Sequence, residues 1–244
     1  MVDLDPSSLT LFIDEAILVV NKPYGLLSIQ DGYDETLPHL KTLLEPAFGP
    51  LWMVHRLDRD TSGVMVLART QEAHRSLNQQ FQFRQVEKFY QALVIGSPEW
   101  IIHRVNQPLR IDGDRRHRTI IDPKHGKPAI TDFRVLEQLP GLSLIIARPY
   151  SGYTHQIRSH LAFICFPVAV DALYGSSQPI LNSFHQAHNQ KPQALLTRLG
   201  LHAFSLTFSH PLSTQAVTFN APLPPDLALT IEMLRTQSQT KSTA

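Results

Sequence analysis

The chain has 244 residues, 43% of them hydrophobic, and its formal net charge is +1 at pH 7. This is enough apolar material for a core in one domain or in two lobes, and no apolar run approaches the length of a membrane span. The single cysteine excludes an intrachain disulfide, and a net charge this close to zero identifies no partner by itself.

Positive charge is concentrated in the middle of the chain. Residues 1–50 carry a balance of −6, whereas residues 51–160 carry +6. A basic region suits a polyanion such as RNA, because lysine and arginine beside phosphates release condensed counterions. Basic side chains spread evenly over a surface explain the same balance equally well. The most basic stretch is 103–127, and its candidates for an RNA-backbone surface are Arg115, Arg116, Arg118, Lys124 and Lys127.

The compartment is inferred from the cysteine and from the first residues. Cys165 lies in the apolar run 161–166, where a buried structural thiol is expected. Asp3 and Asp5 have the wrong charge for the start of a signal peptide. We therefore expect a soluble, cytoplasmic protein in a reducing environment.

The first predicted element is a short buried strand. Residues 1–16 are expected to be flexible, and the strand covers 17–20. It stops at Pro23, which cannot donate to a sheet and holds Lys22 in an extended conformation. Lys22 has two candidate roles, a phosphate contact and a structural contact.

A helix and two strands follow. Leucines at helical spacing predict a helix over 37–44 that is closed by Pro46. Residues 52–57 are predicted as a strand, and 64–68, which are nearly all apolar, as a second and buried strand. Between them we expect a turn in which Gly63 adopts a positive φ.

The polar centre of this stretch contains two arginines and two carboxylates. Arg56 and Asp58 are two residues apart, so on a strand their side chains point to the same face. Asp60 would repel Asp58 if both carboxylates were free, and is therefore expected to pair with Arg59 or Arg69.

The turn itself allows two interpretations. Thr61 and Ser62 are expected to hold the loop through hydrogen bonds to the backbone. A salt-bridged turn without chemistry explains these residues, since ion pairs at turns are common. Polar groups on a loop held by a rigid scaffold are also where chemistry is usually found.

Strands dominate the middle of the chain. Residues 71–86 are predicted as a helix, 87–96 as a strand, and 101–150 as several short strands separated by turns. Tyr90, taken alone, is typical of a half-buried tyrosine on a strand.

A short helix is predicted to begin at Thr154, its candidate N-cap. Ile157 and Leu161 lie on the face that packs inward. Arg158 lies off that face in the first turns, beside the positive end of the helix dipole. This position attracts an anion, either a carboxylate or a phosphate.

The last part of the chain alternates polar and apolar segments. Residues 176–197 are rich in Ser, Gln, Asn, His and Pro and are expected to form a mobile excursion. Strands are predicted at 201–211 and 216–220, followed by a helix over 227–234. Residues 235–244 are expected to be a disordered tail.

The stretch 55–63 has the sequence His-Arg-Leu-Asp-x-x-Thr-Ser-Gly. It resembles the signature of the RluA-like pseudouridine synthases and matches it at every fixed position. The resemblance continues from about residue 17 to residue 226. It includes Val-Val-Asn-Lys-Pro-x-Gly-Leu from Val19, Lys-x-Tyr-x-Ala-Leu-Val-x-Gly from Lys88, Thr-His-Gln-Ile-Arg from Thr154 and Asp-x-x-Tyr-Gly from Asp171.

This resemblance implies a fold and a reaction. The fold is α+β, with a mixed, largely antiparallel sheet split over two lobes, flanking helices and a central catalytic cleft, in one catalytic domain of residues 17–234. The reaction breaks the C1′–N1 bond of a uridine in RNA, turns the base and rejoins it through C5. We expect ribosomal or transfer RNA as the partner, no cofactor, no metal, no membrane contact and a monomer.

The resemblance also implies roles for single residues. Asp58 is the catalytic carboxylate, either as a nucleophile at C1′ or as the base that removes the 2′ proton. Arg158 pairs with Asp58 and favours its ionised form. Tyr90 lines the pocket near the base, and Arg56 occupies the gap left by the flipped base. The remaining expected substrate contacts are Thr61, Gln156, Lys22 and Lys88.

The chain departs from the family pattern at two positions. Tyr153 replaces an arginine, which removes a cation from the edge of the site and affects substrate affinity rather than chemistry. Val170 stands where glycine is usual, and we expect a local adjustment of the backbone. Because the first motif begins within the first twenty residues, we expect the catalytic domain to hold RNA without a preceding RNA-binding module.

Two other functions stay open. One is an RNA-binding protein of the same fold that lacks the chemistry. The other is a hydrolase that uses Asp58 and Asp60 on a sugar or a phosphate ester. A metal site is not predicted, because His155 and His160 are five residues apart and do not share a helix face.

Overall fold

The computed structural model of the chain describes residues 5–32, 34–181 and 194–242. The chain divides into two compact units. Unit 1 consists of Met1–Phe89 and His202–Pro222, and unit 2 of Tyr90–Leu201 and Leu223–Ala244. Each unit therefore combines two separate segments of the chain.

The described residues form both helices and strands, with a run of consecutive strands in the middle of the chain. In order they are α1 (Pro6–Leu9), β1 (Thr10–Ile13), β2 (Ile17–Lys22), α2 (Leu40–Phe48), β3 (Trp52–Met53), β4 (Ser62–Ala68), α3 (Gln71–Gln82), β5 (Glu87–Ile95), β6 (Ile102–Asn106), β7 (Leu109–Arg110), β8 (Ile120–Ile121), β9 (Ile130–Leu139), β10 (Leu142–Pro149), α4 (Gln156–Phe163), β11 (Ile180–Leu181), β12 (Ala194–Leu196), β13 (Leu201–Ser209), β14 (Ala216–Asn220) and α5 (Pro225–Ser242).

Strand β4 is the centre of unit 1, and all seven of its residues are buried. Its near-continuous apolar sequence explains this, and the predicted buried strand over 64–68 is confirmed. One edge of β4 pairs antiparallel with β2, from Ile17↔Ala68 to Lys22↔Gly63. The other edge pairs in parallel with β13 at its start and antiparallel with β3 at its end. The outer strands are β1, beside β2, and β14, beside β13.

Gly63 allows β13 to approach β4 closely. Its φ of +126° lies in the region that favours glycine, as predicted. A Cβ at this position would meet the Ala203 carbonyl oxygen and would lie 2.6 Å from the Ala203 nitrogen. Only a residue without a side chain permits this close approach.

Unit 2 is built on an antiparallel sheet in the order β5, β10, β9, β6. Helix α4 contributes Ile157 and Leu161 to one core cluster, together with Phe133 and Ile145 of the sheet. Helix α5 contributes to a second cluster through its apolar residues Leu227, Ile231 and Leu234. The expected α+β class, with largely antiparallel pairing, is confirmed.

Two predicted helices differ from the structure at their ends. Helix α2 runs past Pro46 to Phe48, so the prediction that Pro46 closes the helix is wrong. Helix α3 ends at Gln82, four residues before the predicted end at 86. Arg84 has a φ of +58°, which is incompatible with a continuing right-handed helix.

Both ends of the described chain are more regular than predicted. Asp5 accepts a hydrogen bond from the Ser7 nitrogen and caps α1, and β1 pairs with β2, where flexibility was expected over 1–16. Helix α5 continues to Ser242, where a disordered tail was expected over 235–244. The Asp5 cap and the pairing of β1 with β2 are contacts that sequence periodicity does not show.

Two further predictions concern single segments. Cys165 is exposed, with a φ of +65°, so the predicted buried thiol is wrong. The reason is that α4 ends at Phe163 and the apolar run does not continue as one element.

Of the predicted excursion 176–197, residues 182–193 lie outside the described residues, and β11 pairs with β12 on either side of them. No helix in the described ranges is long and apolar enough to span a bilayer.

The contact at Gly63 generates a stability prediction. Gly63→Ala should lower the free energy of unfolding by about 3 kcal/mol or more, because the new methyl group must displace the Ala203 backbone. The control is Gly141→Ala, where φ is +73° but a Cβ meets nothing within 4 Å; it should cost about 1 kcal/mol. Urea denaturation measures both. Equal losses for the two variants would contradict the close-approach argument.

Candidate active site

The polar centre of the 55–63 motif lies in a loop rather than on a strand. β3 ends at Met53, so the predicted strand over 52–57 is wrong for its last four residues. Arg56 and Asp58 therefore do not share a strand face. In the loop Arg56 is exposed and Asp58 is half-buried.

Asp58 opens a hydrogen-bonded turn. The Thr61 nitrogen donates to the Asp58 carbonyl oxygen at 3.1 Å, which is the bond of a β-turn with Arg59 and Asp60 at its tip. The turn predicted here is confirmed. Thr61 is buried, with an exposed fraction of 2%.

Lys22 binds the backbone on both sides of this site. Its Nζ donates to the carbonyl oxygens of Pro23 at 2.9 Å, Leu26 at 2.8 Å and Arg59 at 3.2 Å. An ammonium group has three donors, and the residue is fully buried. Of its two candidate roles, these contacts support the structural one. The expected substrate contact of Lys22 stays a prediction.

The residues next to Asp58 are each held by a reciprocal pair of hydrogen bonds. The Gly25 nitrogen donates to the Arg59 carbonyl oxygen at 2.9 Å, and the Arg59 Nε donates back to the Gly25 carbonyl at 3.2 Å. Ser28 Oγ donates to the Leu57 carbonyl at 2.7 Å and accepts from the Leu57 nitrogen at 3.1 Å. The backbone that carries Asp58 is thus restrained before and after it.

The predicted partners of Asp60 are engaged elsewhere. The Arg69 guanidinium donates to the Asp14 carbonyl, and Arg59 donates to Gly25. Within the described residues Asp60 forms no ion pair, so the expected pairing with Arg59 or Arg69 is wrong.

Ser62 binds a side chain rather than the backbone, in contrast to the prediction. Its Oγ lies 3.0 Å from His202 Nδ1, and His202 Nε2 lies 3.2 Å from the Ala221 carbonyl oxygen. Since a carbonyl only accepts, His202 donates from Nε2 and accepts the Ser62 hydroxyl at Nδ1. The two residues are 140 positions apart in the sequence, so no local signal could have found this pair.

His55 supports β4 from the start of the motif. Its Nε2 accepts a hydrogen bond from the Val66 nitrogen at 3.1 Å, and its ring stacks on Phe81 with a centroid distance of 4.6 Å. Burial lowers the pKa of His55 to about 3, and the nearby positive charge of Lys88 adds to the effect. His55 is therefore a neutral structural residue at pH 7.

Lys88 and Tyr90 lie on β5. Lys88 is half-buried, and this burial, followed by repulsion from Arg84, lowers the pKa of its ammonium group to about 8. Tyr90 is half-buried, pairs with Ala147 across the sheet of unit 2 and packs against the core cluster that contains Ile157. Their expected substrate contacts stay predictions.

Arg158 lies in the first turn of α4 and is buried. Its Nε donates to Asp171 Oδ2 and its Nη2 to Asp171 Oδ1, both at 2.7 Å. The Asp171 carboxylate is therefore the anion that was predicted beside Arg158, near the positive end of the helix dipole. The predicted pairing with Asp58 stays a prediction, and the role of Asp171 was missed. The matching Asp-x-x-Tyr-Gly motif was the signal that could have identified it.

Val170 precedes Asp171 and has a φ of +58°. This left-handed conformation costs a residue with a side chain about 1–2 kcal/mol, and a β-branched residue adopts it rarely. Valine here takes a conformation that glycine adopts without strain, and the expected adjustment of the backbone stays a prediction.

Gln156 is buried and all of its hydrogen-bonding groups are used within unit 2. Its Oε1 accepts from Ser151 Oγ at 2.8 Å and from the Tyr153 nitrogen at 3.3 Å. Its Nε2 donates to the Ile130 carbonyl and to Thr131 Oγ1, both at 3.0 Å. These contacts hold the loop before α4. The expected substrate contact of Gln156 stays a prediction.

The N-cap of α4 also differs from the prediction. The cap residue is His155, with a φ of +56°, rather than Thr154. His155 Nδ1 lies 3.1 Å from the Tyr174 hydroxyl. His160 is buried between Thr131 Oγ1 at 2.9 Å and the Gln107 carbonyl at 3.1 Å, and burial lowers its pKa. Both histidines have structural contacts.

The basic stretch 103–127 separates into two groups. Arg116 and Arg118 bind the backbone of residues 172 and 173, and Arg118 also pairs with Asp114 at 2.7 Å. Arg116 is exposed, as are Arg115, Lys124 and Lys127, whereas Arg118 is half-buried. The expected RNA-backbone role of these five residues stays a prediction.

No group of three or more His, Cys, Asp or Glu side chains in the described ranges is arranged to hold a metal ion.

The contacts of Lys22 predict a stability effect. Lys22→Met should lower the free energy of unfolding by about 3 kcal/mol or more, because three hydrogen bonds to a charged donor are lost. Lys41→Met is the control, since Lys41 is exposed in an ion pair with Glu45 and should contribute less than about 1 kcal/mol. Urea denaturation distinguishes them, and an unchanged stability of Lys22→Met would refute the structural role.

The neutral state of His55 predicts a pH dependence. The unfolded chain takes up a proton near pH 6.5, whereas the folded protein does so only near pH 3. Stability is therefore full above pH 6.5 and falls as the pH drops toward 3, by up to about 1.4 kcal/mol per pH unit. His55→Gln keeps an acceptor for the Val66 nitrogen without titrating, so its stability should fall less steeply between pH 7 and 4. Parallel curves for the two proteins would show that the assignment is wrong.

Comparison with known proteins gives one consistent family. Residues 16–163 match the family described as RNA pseudouridylate synthase. Ribosomal large subunit pseudouridine synthase C of Pasteurella multocida (strain Pm70) is 38% identical over 232 residues, which cover 93% of this chain and 68% of that protein. Dual-specificity RNA pseudouridine synthase RluA of Haemophilus influenzae is 36% identical, with 89% of this chain and 94% of that protein covered.

Solved structures agree with this comparison. The structure titled Human RNA Pseudouridylate Synthase Domain Containing 4 superposes with a TM-score of 0.73 at 25% identity and covers 94% of this chain and 95% of its own. The structure titled Human RNA Pseudouridylate Synthase Domain Containing 1 superposes with a TM-score of 0.70 at 27% identity and covers 93% of this chain and 94% of its own. The chain belongs to the RNA pseudouridylate synthase family.

Proposed function

We propose that this chain converts uridine to pseudouridine in a structured RNA, with Asp58 as the carboxylate that acts on the ribose. Family membership supports the reaction. The observation that carries the residue assignment is the Asp58 turn. Asp58 is half-buried, and the backbone on both sides is held by Lys22, Gly25 and Ser28.

The reaction balances without a cofactor. The C1′–N1 bond breaks and a C1′–C5 bond forms, C5 loses its hydrogen as a proton, and N1 takes up a proton. No electrons are transferred to or from the substrate, so no redox group or group carrier is required. Asp58 acts either by bonding to C1′ as a nucleophile or by removing the 2′ proton as a base.

The other proposed roles concern the base and the charge of the carboxylate. A stacked uridine cannot be reached, so the nucleotide is flipped out before the reaction. Exposed Arg56 is proposed to stack in the gap that this leaves. The ring of Tyr90 is proposed to contact the freed base, and Arg158 to favour the ionised form of Asp58. Substrate contacts are also proposed for Thr61 and Lys88.

The proposed substrates are 23S ribosomal RNA, transfer RNA or both. A relative named for the large ribosomal subunit supports the first, and a relative named as dual-specificity supports more than one RNA.

We propose that the exposed residues Arg115, Lys124 and Lys127 contact the RNA backbone, since cations near phosphates release counterions. The proposed enzyme is a cytoplasmic monomer that acts without a metal.

Asp58→Asn tests the assignment. The rate of tritium release from RNA that contains 5-tritiated uridine should fall on the order of 10⁴-fold, because the amide neither attacks C1′ nor accepts the 2′ proton. Folding and RNA affinity should stay close to those of the unmodified protein. Tritium release reports the chemistry directly, since only isomerisation exchanges the hydrogen on C5.

The neighbouring carboxylate supplies the matched control. Asp60→Asn removes the same charge two residues away, at a side chain without an ion pair in the described residues, and should keep most of the rate. A normal rate for Asp58→Asn would refute the role of Asp58. RNA binding without tritium release by the unmodified protein would identify a catalytically silent RNA-binding protein instead.

A further inference from the structure

The guanidinium of Arg158 is held by a carboxylate that has no other cationic partner in the described residues. Arg158 and Asp171 form two parallel hydrogen bonds of 2.7 Å, and their side chains are 5% and 0% exposed. A buried pair of this geometry contributes little net stability compared with apolar residues of similar size. It does fix the orientation of the guanidinium plane, because two bonds are made at once.

Asp171 is itself held in place. Its Oδ1 also accepts from the Leu173 nitrogen at 3.0 Å and from the Tyr174 nitrogen at 3.1 Å. The ring of Tyr174 lies against the guanidinium of Arg158, with 5.1 Å from Cζ to the ring centroid. The loop 171–174 therefore contacts Arg158 both in the plane of the guanidinium and from one of its faces.

The segment between β7 and β8 forms hydrogen bonds to this loop. Arg116 Nη2 donates to the Ala172 carbonyl at 2.9 Å, and Arg118 Nη1 donates to the Leu173 carbonyl at 3.2 Å. The Thr119 nitrogen donates to the Tyr174 hydroxyl at 2.7 Å. Arg116 and Arg118, which are candidates for an RNA surface on sequence grounds, thus bind this loop.

We propose that Asp171 is a positioning residue for Arg158, and that Arg118 extends this role by holding the loop that carries Asp171. The inference rests on the proposed function, in which Arg158 serves the reaction. A long arginine side chain samples several rotamers, and a displacement of about 1 Å at a reacting group costs on the order of 10²-fold in rate. Asp171 removes this freedom before the substrate binds.

Asp171→Asn is the first test. It keeps the size of the side chain but removes the charge and one of the two acceptors for Arg158. The single-turnover rate of tritium release at saturating protein should fall on the order of 10²-fold, while the Kd for RNA stays unchanged. Glu137→Gln is the matched control. It removes a carboxylate that pairs with Arg235 on α5, at a partly exposed site in the same unit, and should leave the rate unchanged.

Rescue with a free cation separates positioning from a merely structural role. Arg158→Ala should lose most of its rate and regain part of it when ethylguanidinium is added at concentrations that leave the protein folded. The same additive should restore nothing in the double variant Arg158→Ala/Asp171→Asn, because the carboxylate that orients the cation is missing. Equal rescue with and without Asp171 would overturn the proposal.

Arg118→Gln decides the question if the buried variants do not fold, since Arg118 is only partly buried. Positioning predicts about a 10-fold lower rate at saturation with an unchanged Kd and an unchanged salt dependence of binding. A direct RNA contact predicts instead a higher Kd, a weaker salt dependence and a normal saturated rate, and this result would overturn the proposal. If the unmodified protein releases no tritium, the proposed function fails, and the failure is visible before any variant is compared.

Discussion

Lys22 places a buried positive charge among three backbone carbonyl oxygens, those of Pro23, Leu26 and Arg59. Burying an ammonium group costs several kcal/mol unless its donors are satisfied, so the two chain segments that supply these carbonyls are bound to one geometry. The register of β2 and β4 places Lys22 opposite Gly63, at the end of the motif loop. The position of the Asp58 backbone follows from this charge and from the strands on either side.

In unit 2, Arg158 is likewise a buried cation whose charge is compensated by hydrogen bonds. A long cationic side chain is buried, and its charge is compensated by a partner that is itself hydrogen-bonded to backbone nitrogens. For the Arg158–Asp171 pair the net stabilisation is modest, because desolvation offsets most of the attraction. The main effect of such a contact is on geometry, because the charged group and the loop that it contacts have few alternative conformations.

Local sequence patterns identified the elements well and their long-range partners poorly. β4 and the turn before it were predictable, because an apolar run and a glycine act through neighbouring residues. The partners Ser62–His202 and Arg158–Asp171 were not, because nothing in the periodicity of one segment specifies the side chain that another segment brings to it. The internal hydrogen bonds of Lys22 and Gln156 were unpredictable for a related reason: a local motif does not show which distant backbone groups its side chains bind.

The composition of unit 1 from two distant segments has a consequence for synthesis on the ribosome. β4 is made early, but its parallel partner β13 pairs with it from His202, more than a hundred residues later. At about 5–20 residues per second, the interval between them is on the order of 10 s. During that time the backbone of Ser62 and Gly63 lacks its partner β13, and an open strand edge invites association with other nascent chains. The start of β4 thus reaches its native environment only after β13 has been made, and its protection until then depends on how quickly the remaining chain emerges.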